Sequence, residues 1–301
     1  MPPLIRFDDV WRGFGRAQVL RGLSFEVHPG EIYALLGRNG TGKTTAIRVL
    51  LGFIEPDAGA SEVLGCASRA LTPDLRDRIG YVSEGHVLYR WMTVKDVLRF
   101  EQGTRKRFDG KLAEHTVQRL GLAMGQRVGK LSRGQRAQLA LAVTMATAPD
   151  VLVLDDPAMG LDAVMRREFL EAMIDVLGDE RRGVLFSSHI LSDVERIADR
   201  VGILSEGRLV VDATLEDLKR RVTKRRARFA GSTIPELPGL LRARRVRDGL
   251  DLLLLDIDEQ RETALARTFD DLSQPIIPTL EELFLDLMGN EASASLESTT
   301  A

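Results

Sequence analysis

The stretch GRNGTGKTT, Gly37 to Thr45, constrains this chain more than any other. It fits G-x-x-x-x-G-K-[ST]. It lies between IYALL, which reads as a buried strand, and TTAIRVLLG, which reads as a helix stopping at Gly52. A strand, a glycine-rich turn and a helix in that order curl backbone N–H groups around phosphate oxygens, and the helix N-terminus adds its positive dipole. Lys43 is placed to reach the β- and γ-phosphates, and the Thr44 hydroxyl to bind Mg²⁺. Gly37, Arg38, Asn39, Gly40, Thr41, Gly42, Lys43, Thr44 and Thr45 are therefore candidate contacts to ATP, with Mg²⁺ as its companion ion.

The elements around this loop alternate. VLVLDD reads as a buried strand, AVMRREFLEAMIDVLG as a helix, GVLFSSH as a strand and LSDVERIA as a helix. Such alternation predicts a parallel sheet with helices packed on it. Before the loop, Leu23, Phe25 and Val27 face one way in LRGLSFEV, and His28-Pro29-Gly30-Glu31 makes a turn. The segment from Met92 to about Ala148 is mainly helical, with Thr93 as an N-cap and Asp96 three residues on. The fold class expected is α/β: a phosphate-loop core with an antiparallel β subdomain and a helical subdomain, followed by a small C-terminal α+β domain.

A phosphate loop needs a carboxylate for the metal at the end of a neighbouring strand. In VLVLDDPAMGLD, Val151 to Asp162, Asp155 is placed to hold Mg²⁺ through water, which leaves Asp156 beside the γ-phosphate as a general base.

Composition limits the partners. Charged residues make up 29% of 301 and nearly cancel, at a net charge of −2, which argues against a general nucleic-acid binder. The single cysteine, Cys66, allows no internal disulfide and fits a reduced cytoplasmic compartment. No run approaches the roughly 18 apolar residues of a membrane span; LALAVTMATA (139–148) and LDLLLLDI (250–257) are too short. MPPLIRFDDV lacks the pattern of a signal peptide. A soluble chain, or one held at a membrane by a partner, is expected.

LSRGQ at 131–135 stands upstream of VLVLDDP, and SSH at 187–189 downstream. With GRNGTGKTT these make the chain resemble the ATP-binding subunit of an ABC transporter over roughly Leu4 to Leu215. The resemblance implies that LSRGQ closes over the γ-phosphate of a nucleotide held by a second subunit, through Ser132, Gly134 and Gln135. Arg133 replaces a usual glycine, and its side chain is expected to point away from the phosphate. Read without the family, Ser132 is a helix N-cap. The resemblance makes His189 the switch histidine at the γ-phosphate, and Gly160-Leu161-Asp162 the loop passing between subunits. It makes Phe14 the aromatic that stacks on adenine; a core strand aromatic is the rival reading. Glu84 stands where the family usually has Gln, and can still bind Mg²⁺. Asp156 stands where the family usually has Glu, one methylene shorter. Its oxygen falls about 1 Å short, a misplacement that can cost up to about 100-fold in rate.

The same resemblance places GHVLYRWMTVKDV, with Tyr89 and Trp91, near a groove for a short helix of the membrane subunit; burial in the helical subdomain is the alternative. Near residue 216 the composition shifts to the basic run KRRVTKRRARF, read as a solvated face or as a contact for anionic lipid head groups. After Pro235 and Pro238, a β-rich stretch and two helices follow; the last puts Leu280, Leu283, Phe284 and Leu287 on one face. Such an ending resembles the ATP-binding subunits of exporters.

The expected domains are 1–218 for ATP binding, with a helical subdomain at about 86–147, then 219–289 as an accessory domain and 290–301 as a disordered tail. The expected function is ATP hydrolysis by a head-to-tail dimer that drives export through separately encoded permease subunits. The dimer would be a homodimer or a pairing with another ATPase subunit, peripheral on the inner face of the cell membrane. The alternatives are a regulatory subunit with slow or absent hydrolysis, and a non-transport relative acting on nucleic acid or ribosomes. The single phosphate loop and the lack of a long coiled coil between Lys43 and Asp155 count against the latter.

Overall fold

The computed structural model describes residues 1–158, 161–176, 182–229, 231, 234, 237, 239–269 and 271–288. Gly160, Pro235, Pro238 and the expected tail from 290 lie outside them. The described chain forms two compact units, Met1–Leu209 and a second beginning at Val210. The boundary expected after residue 218 falls inside a helix of the second unit.

Alternating and continuous apolar patterns produce two kinds of strand in the first unit. In β1 (Ile5–Phe14) and β2 (Ala17–Val27), Ile5, Phe7, Leu23, Phe25 and Val27 are buried while the residues between them are not. One face of this pair is core and the other meets solvent. β3 (Ile32–Leu36) is buried at every position and feeds the glycine-rich loop and α1 (Lys43–Leu50). Next come β4 (Ala58–Val63), β5 (Cys66–Ala67), α2 (Pro73–Arg76) and β6 (Ile79–Val82). The antiparallel sheet runs β2-β1-β4-β5.

Three helices follow: α3 (Val94–Thr104), α4 (Gly110–Arg119) and α5 (Arg133–Met145). Thr93 caps α3 in a reciprocal box with Asp96, as its spacing predicts. These helices bury a core of their own, with Val94, Val97, Val117, Leu131 and Leu139 at its centre.

The remainder alternates strand and helix: β7 (Val151–Asp155), α6 (Ala163–Val176), β8 (Gly183–Ser188), α7 (Leu191–Ile197) and β9 (Arg200–Ser205). β10 (Arg208–Thr214) carries the chain across the division between units. The larger sheet has the order β10-β9-β3-β8-β7-β6, with parallel pairs from β9 to β6. Phe7, Phe25 and Tyr33 stack at 4.6 and 4.8 Å and tie the antiparallel sheet to the parallel one. Leu36 registers with Ser188, and Asp155 with Ser187. The loops after β3, β7 and β8 therefore leave the sheet at one level, where ligands of such sheets sit.

In the second unit, α8 (Leu215–Arg221) leads into β11 (Val222–Arg228), β12 (Leu240–Val246) and β13 (Gly249–Leu255), ordered β11-β13-β12. α9 (Glu259–Thr268) packs Leu265 with Leu250, Leu252 and Leu254, and α10 (Leu280–Met288) closes the described chain. On α10, Leu280 and Leu283 are buried as the pattern predicts. Much of the basic run is solvated, as the solvated-face reading expects: the Arg220, Arg221 and Arg226 side chains are 74, 42 and 71% exposed, but they are ion-paired. Arg221 pairs with Asp256, Arg225 with Glu262, Arg226 with Asp251, and Lys224 with Glu282 and Asp286. Carboxylates distant in sequence answer several of its charges, which a reading of the run alone could not see.

Candidate functional site

α1 starts at Lys43 with Gly42 as N-cap and no side chain capping it. Gly42 has φ of 112°, and an added Cβ would stand 2.8 Å from Leu20 Cδ2 and 3.1 Å from the Val19 carbonyl oxygen. Only glycine fits there. Uncapped N–H groups at a helix start, beside a buried lysine, make an anion cradle. Lys43 Nζ donates to the carbonyl oxygens of Gly37 at 2.7 Å and Arg38 at 3.2 Å. Burial pushes the Lys43 ammonium below its usual range, while the carboxylates of Asp156, Asp155 and Glu84 pull it back up. Those three acids thus act on one cation from two segments, the end of β7 and the loop after β6.

A line of hydrogen bonds runs from the loop across the strand ends. Thr44 Oγ1 donates to Asp155 Oδ1 at 3.1 Å, and Ser187 Oγ donates to the same oxygen at 2.9 Å. The Asp156 N–H donates to Ser187 Oγ at 2.9 Å. His189 Nδ1 meets Asp156 Oδ2 at 2.6 Å, the carboxylate accepting. Asp156 has a left-handed backbone, φ 46°, and its Oδ1 is buried with no hydrogen-bond partner among the described residues. The turn that carries His189 is held by Ser188, whose Oγ accepts from the Ile190 N–H at 3.0 Å.

Phe14, Asn39, Gly40, Gly42, Lys43, Thr44, Thr45, Glu84, Asp155, Asp156 and His189 line one cleft of about 560 Å³, together with Val19 and Ser187. Gly37, Arg38 and Thr41 shape the loop beneath it: Thr41 Oγ1 donates to the Arg38 carbonyl oxygen at 2.9 Å. Phe14 is 46% exposed, so the core reading fails for it. Asp57 fixes its strand end by accepting from the Gly13 N–H and from Arg12, whose guanidinium lies 4.8 Å from the Phe14 ring centre. Val19 and Ser187 were not singled out from sequence. The serine was within view in SSH, but only the parallel register shows that it bridges both aspartates.

Ser132, Gly134, Gln135 and Asp162 do not line this cleft. Ser132 caps α5 and exchanges hydrogen bonds with Gln135, as the capping reading predicts. Gly134 is buried, and a Cβ there would meet Met165 Sδ at 2.3 Å, so a larger residue would have to displace the flexible Met165 side chain. Asp162 Oδ1 caps the next helix through the N–H groups of Val164 and Met165.

Among the described residues no three His, Cys, Asp or Glu side chains gather to hold a metal ion by themselves. None of the described helices is long and apolar enough to cross a membrane.

Residues 20–159 match the family described as ABC transporter. An uncharacterised ABC transporter ATP-binding protein of Methanocaldococcus jannaschii is 36% identical over 227 residues, covering 74% of this chain and 82% of its own length. The Nod factor export ATP-binding protein I of Burkholderia lata is 35% identical over 217 residues, covering 69% and 70%. A solved ATP-binding subunit of an ABC transporter has a TM-score of 0.66 at 29% identity, over 72% of this chain and 92% of that one. With its phosphate loop, its α/β core and its antiparallel and helical subdomains, this chain belongs to the ABC transporter ATP-binding proteins and is an ATPase.

Proposed function

We propose that the chain hydrolyses ATP as one half of a head-to-tail dimer and drives export through separate membrane subunits, working at the inner face of the cell membrane. The observation that carries this reading is the unbroken line Thr44–Asp155–Ser187–Asp156–His189 facing the phosphate loop. Lys43 and the α1 N–H groups bind the phosphates. Phe14 takes the adenine ring on its exposed face.

The donor set suits Mg²⁺. A hydroxyl and a carboxylate oxygen stand 3.1 Å apart, and Glu84 lines the same cleft. A cation held by few protein oxygens and completed by substrate phosphates is the ordinary Mg²⁺ arrangement. When bound, it would neutralise charge on the phosphate oxygens.

Asp156 is the general base. Its side chain lines the cleft and is held there through Oδ2 by His189. The aspartate is one methylene shorter than the family's glutamate, so turnover is slow. A regulatory subunit that scarcely hydrolyses is the competing reading, and it rests on the same short side chain.

Ser132, Gly134, Gln135 and Asp162 lie away from the chain's own cleft, which supports their serving a nucleotide on a second copy. Export is supported by the Nod factor export relative and by the added C-terminal unit. Tyr89, Trp91 and Phe100 are 56, 69 and 42% exposed, and Tyr89 packs against both of the others. They form an apolar anchor for the membrane subunit.

The test is Mg-ATP turnover by the purified chain beside His189→Ala. The native chain should turn over, and the variant should lose about 100-fold, the size of a positioned proton-transfer group. Equal rates would overturn the reading.

A further inference from the structure

We propose that His86 is a positioning residue for hydrolysis: its imidazole fastens the segment that carries Glu84 to the carbonyl that follows Asp156, and so sets where the Asp156 carboxylate stands. This rests on the reading of Asp156 as the base.

His86 lies on a loop, yet it is only 5% exposed. Its Nε2 donates to the Pro157 carbonyl oxygen at 3.0 Å, in a buried setting. A carbonyl only accepts, so the ring carries its hydrogen on Nε2. Burial holds the imidazole below its ordinary range, with the Pro157 hydrogen bond opposing this and Arg136 adding to it.

His86 and the residue before its Pro157 partner, Asp156, both take left-handed backbone angles. His86 has φ of 53° and Asp156 has φ of 46°. Non-glycine residues take such angles only where their surroundings hold them, at a cost of about 1–3 kcal/mol each.

Asp156 is held at three points: its N–H by Ser187, its carboxylate by His189, and its C-terminal side through Pro157 by His86. Without the third, the left-handed turn is free to relax, and the carboxylate pivots with it. A short side chain has no spare reach to compensate, and a 1 Å shift can cost up to about 100-fold.

The test compares His86→Leu with His86→Gln. Neither residue favours the left-handed region, so both meet the same backbone cost. Only glutamine places an amide donor near the Nε2 position. His86→Leu should lose about tenfold or more in kcat, with the Kd for ATP within about twofold of native. His86→Gln should recover most of the loss. Equal kcat for the two variants, or a weakening of ATP binding that matches the fall in kcat, would overturn the inference.

Should the leucine variant fail to fold, His86→Asn decides. Asparagine accepts a left-handed φ readily but is too short to reach Pro157. It should also lose kcat alone, and native turnover by it would refute the role of the bond. Asp156→Asn is run in parallel. If it turns over like the native chain, the base assignment fails and this inference with it. If it is dead while the His86 variants are unimpaired, only this inference fails.

Discussion

His189 Nδ1 lies 2.6 Å from Asp156 Oδ2, bringing together two side chains that 33 positions separate in the chain. The pair joins the ends of β7 and β8, and it holds the Asp156 carboxylate at the wall of the cleft. Asp156→Asn keeps the shape but removes the basic oxygen. It should lower kcat by about 100-fold or more while ATP still binds. Asp156→Glu restores the reach that aspartate lacks and should raise kcat several-fold, up to about tenfold. Single-turnover hydrolysis with a separate ATP-binding titration checks both. Full activity in Asp156→Asn would remove the carboxylate from the mechanism.

Gly42 and Gly40 both have positive φ, 112° and 84°, but only Gly42 is crowded by Leu20 and Val19; nothing lies within 4 Å of a Cβ at Gly40. Gly40→Ala should cost about 1 kcal/mol, from backbone conformation alone. Gly42→Ala adds overpacking and should cost about 2–4 kcal/mol, with loss of ATP binding. Thermal melts of the two variants should separate clearly, and similar Tm values would contradict the crowding.

Asp251 supplies a pH test in the second unit. Burial pushes its carboxyl up, but hydrogen bonds from Arg226 and Arg244 outweigh burial and leave it below the ordinary 3.8. A depressed carboxyl contributes stability that is fully present above the unfolded value and is lost as pH falls through the folded one. Asp251→Asn should therefore cost about 1 kcal/mol at pH 7, the scale of partly exposed pairs. Below pH 3.8 that gap should shrink. Denaturant midpoints at pH 7 and pH 3.5 measure it, and a gap that widens in acid would reverse the assignment.

Trp91 and Tyr89 expose large aromatic surface, with ring centres 6.0 Å apart. Replacing both by Ala should leave the Tm within a few degrees, because exposed side chains contribute little to folding. The same change should remove about 2 kcal/mol or more of affinity for a membrane partner, if these rings anchor it. Recovery of the chain with the membrane fraction reads this out. Undiminished recovery would place the docking surface elsewhere.

The sequence by itself determined what rests on local rules. The glycine-rich loop, the buried strands, the caps at Thr93 and Ser132, and the order of motifs follow from periodicity and from residues that only certain backbones accept. The tertiary structure alone decided what depends on neighbours far apart in the chain. Strand order brought the ends of β3, β7 and β8 to one level and so made Ser187 the bridge between Asp155 and Asp156. It brought His86 to Pro157, and it set carboxylates against a basic run that reads as free charge in one dimension. Hydrogen bonds and ion pairs form by distance in space, and in a parallel sheet that distance is set by strand order and register, not by position along the chain.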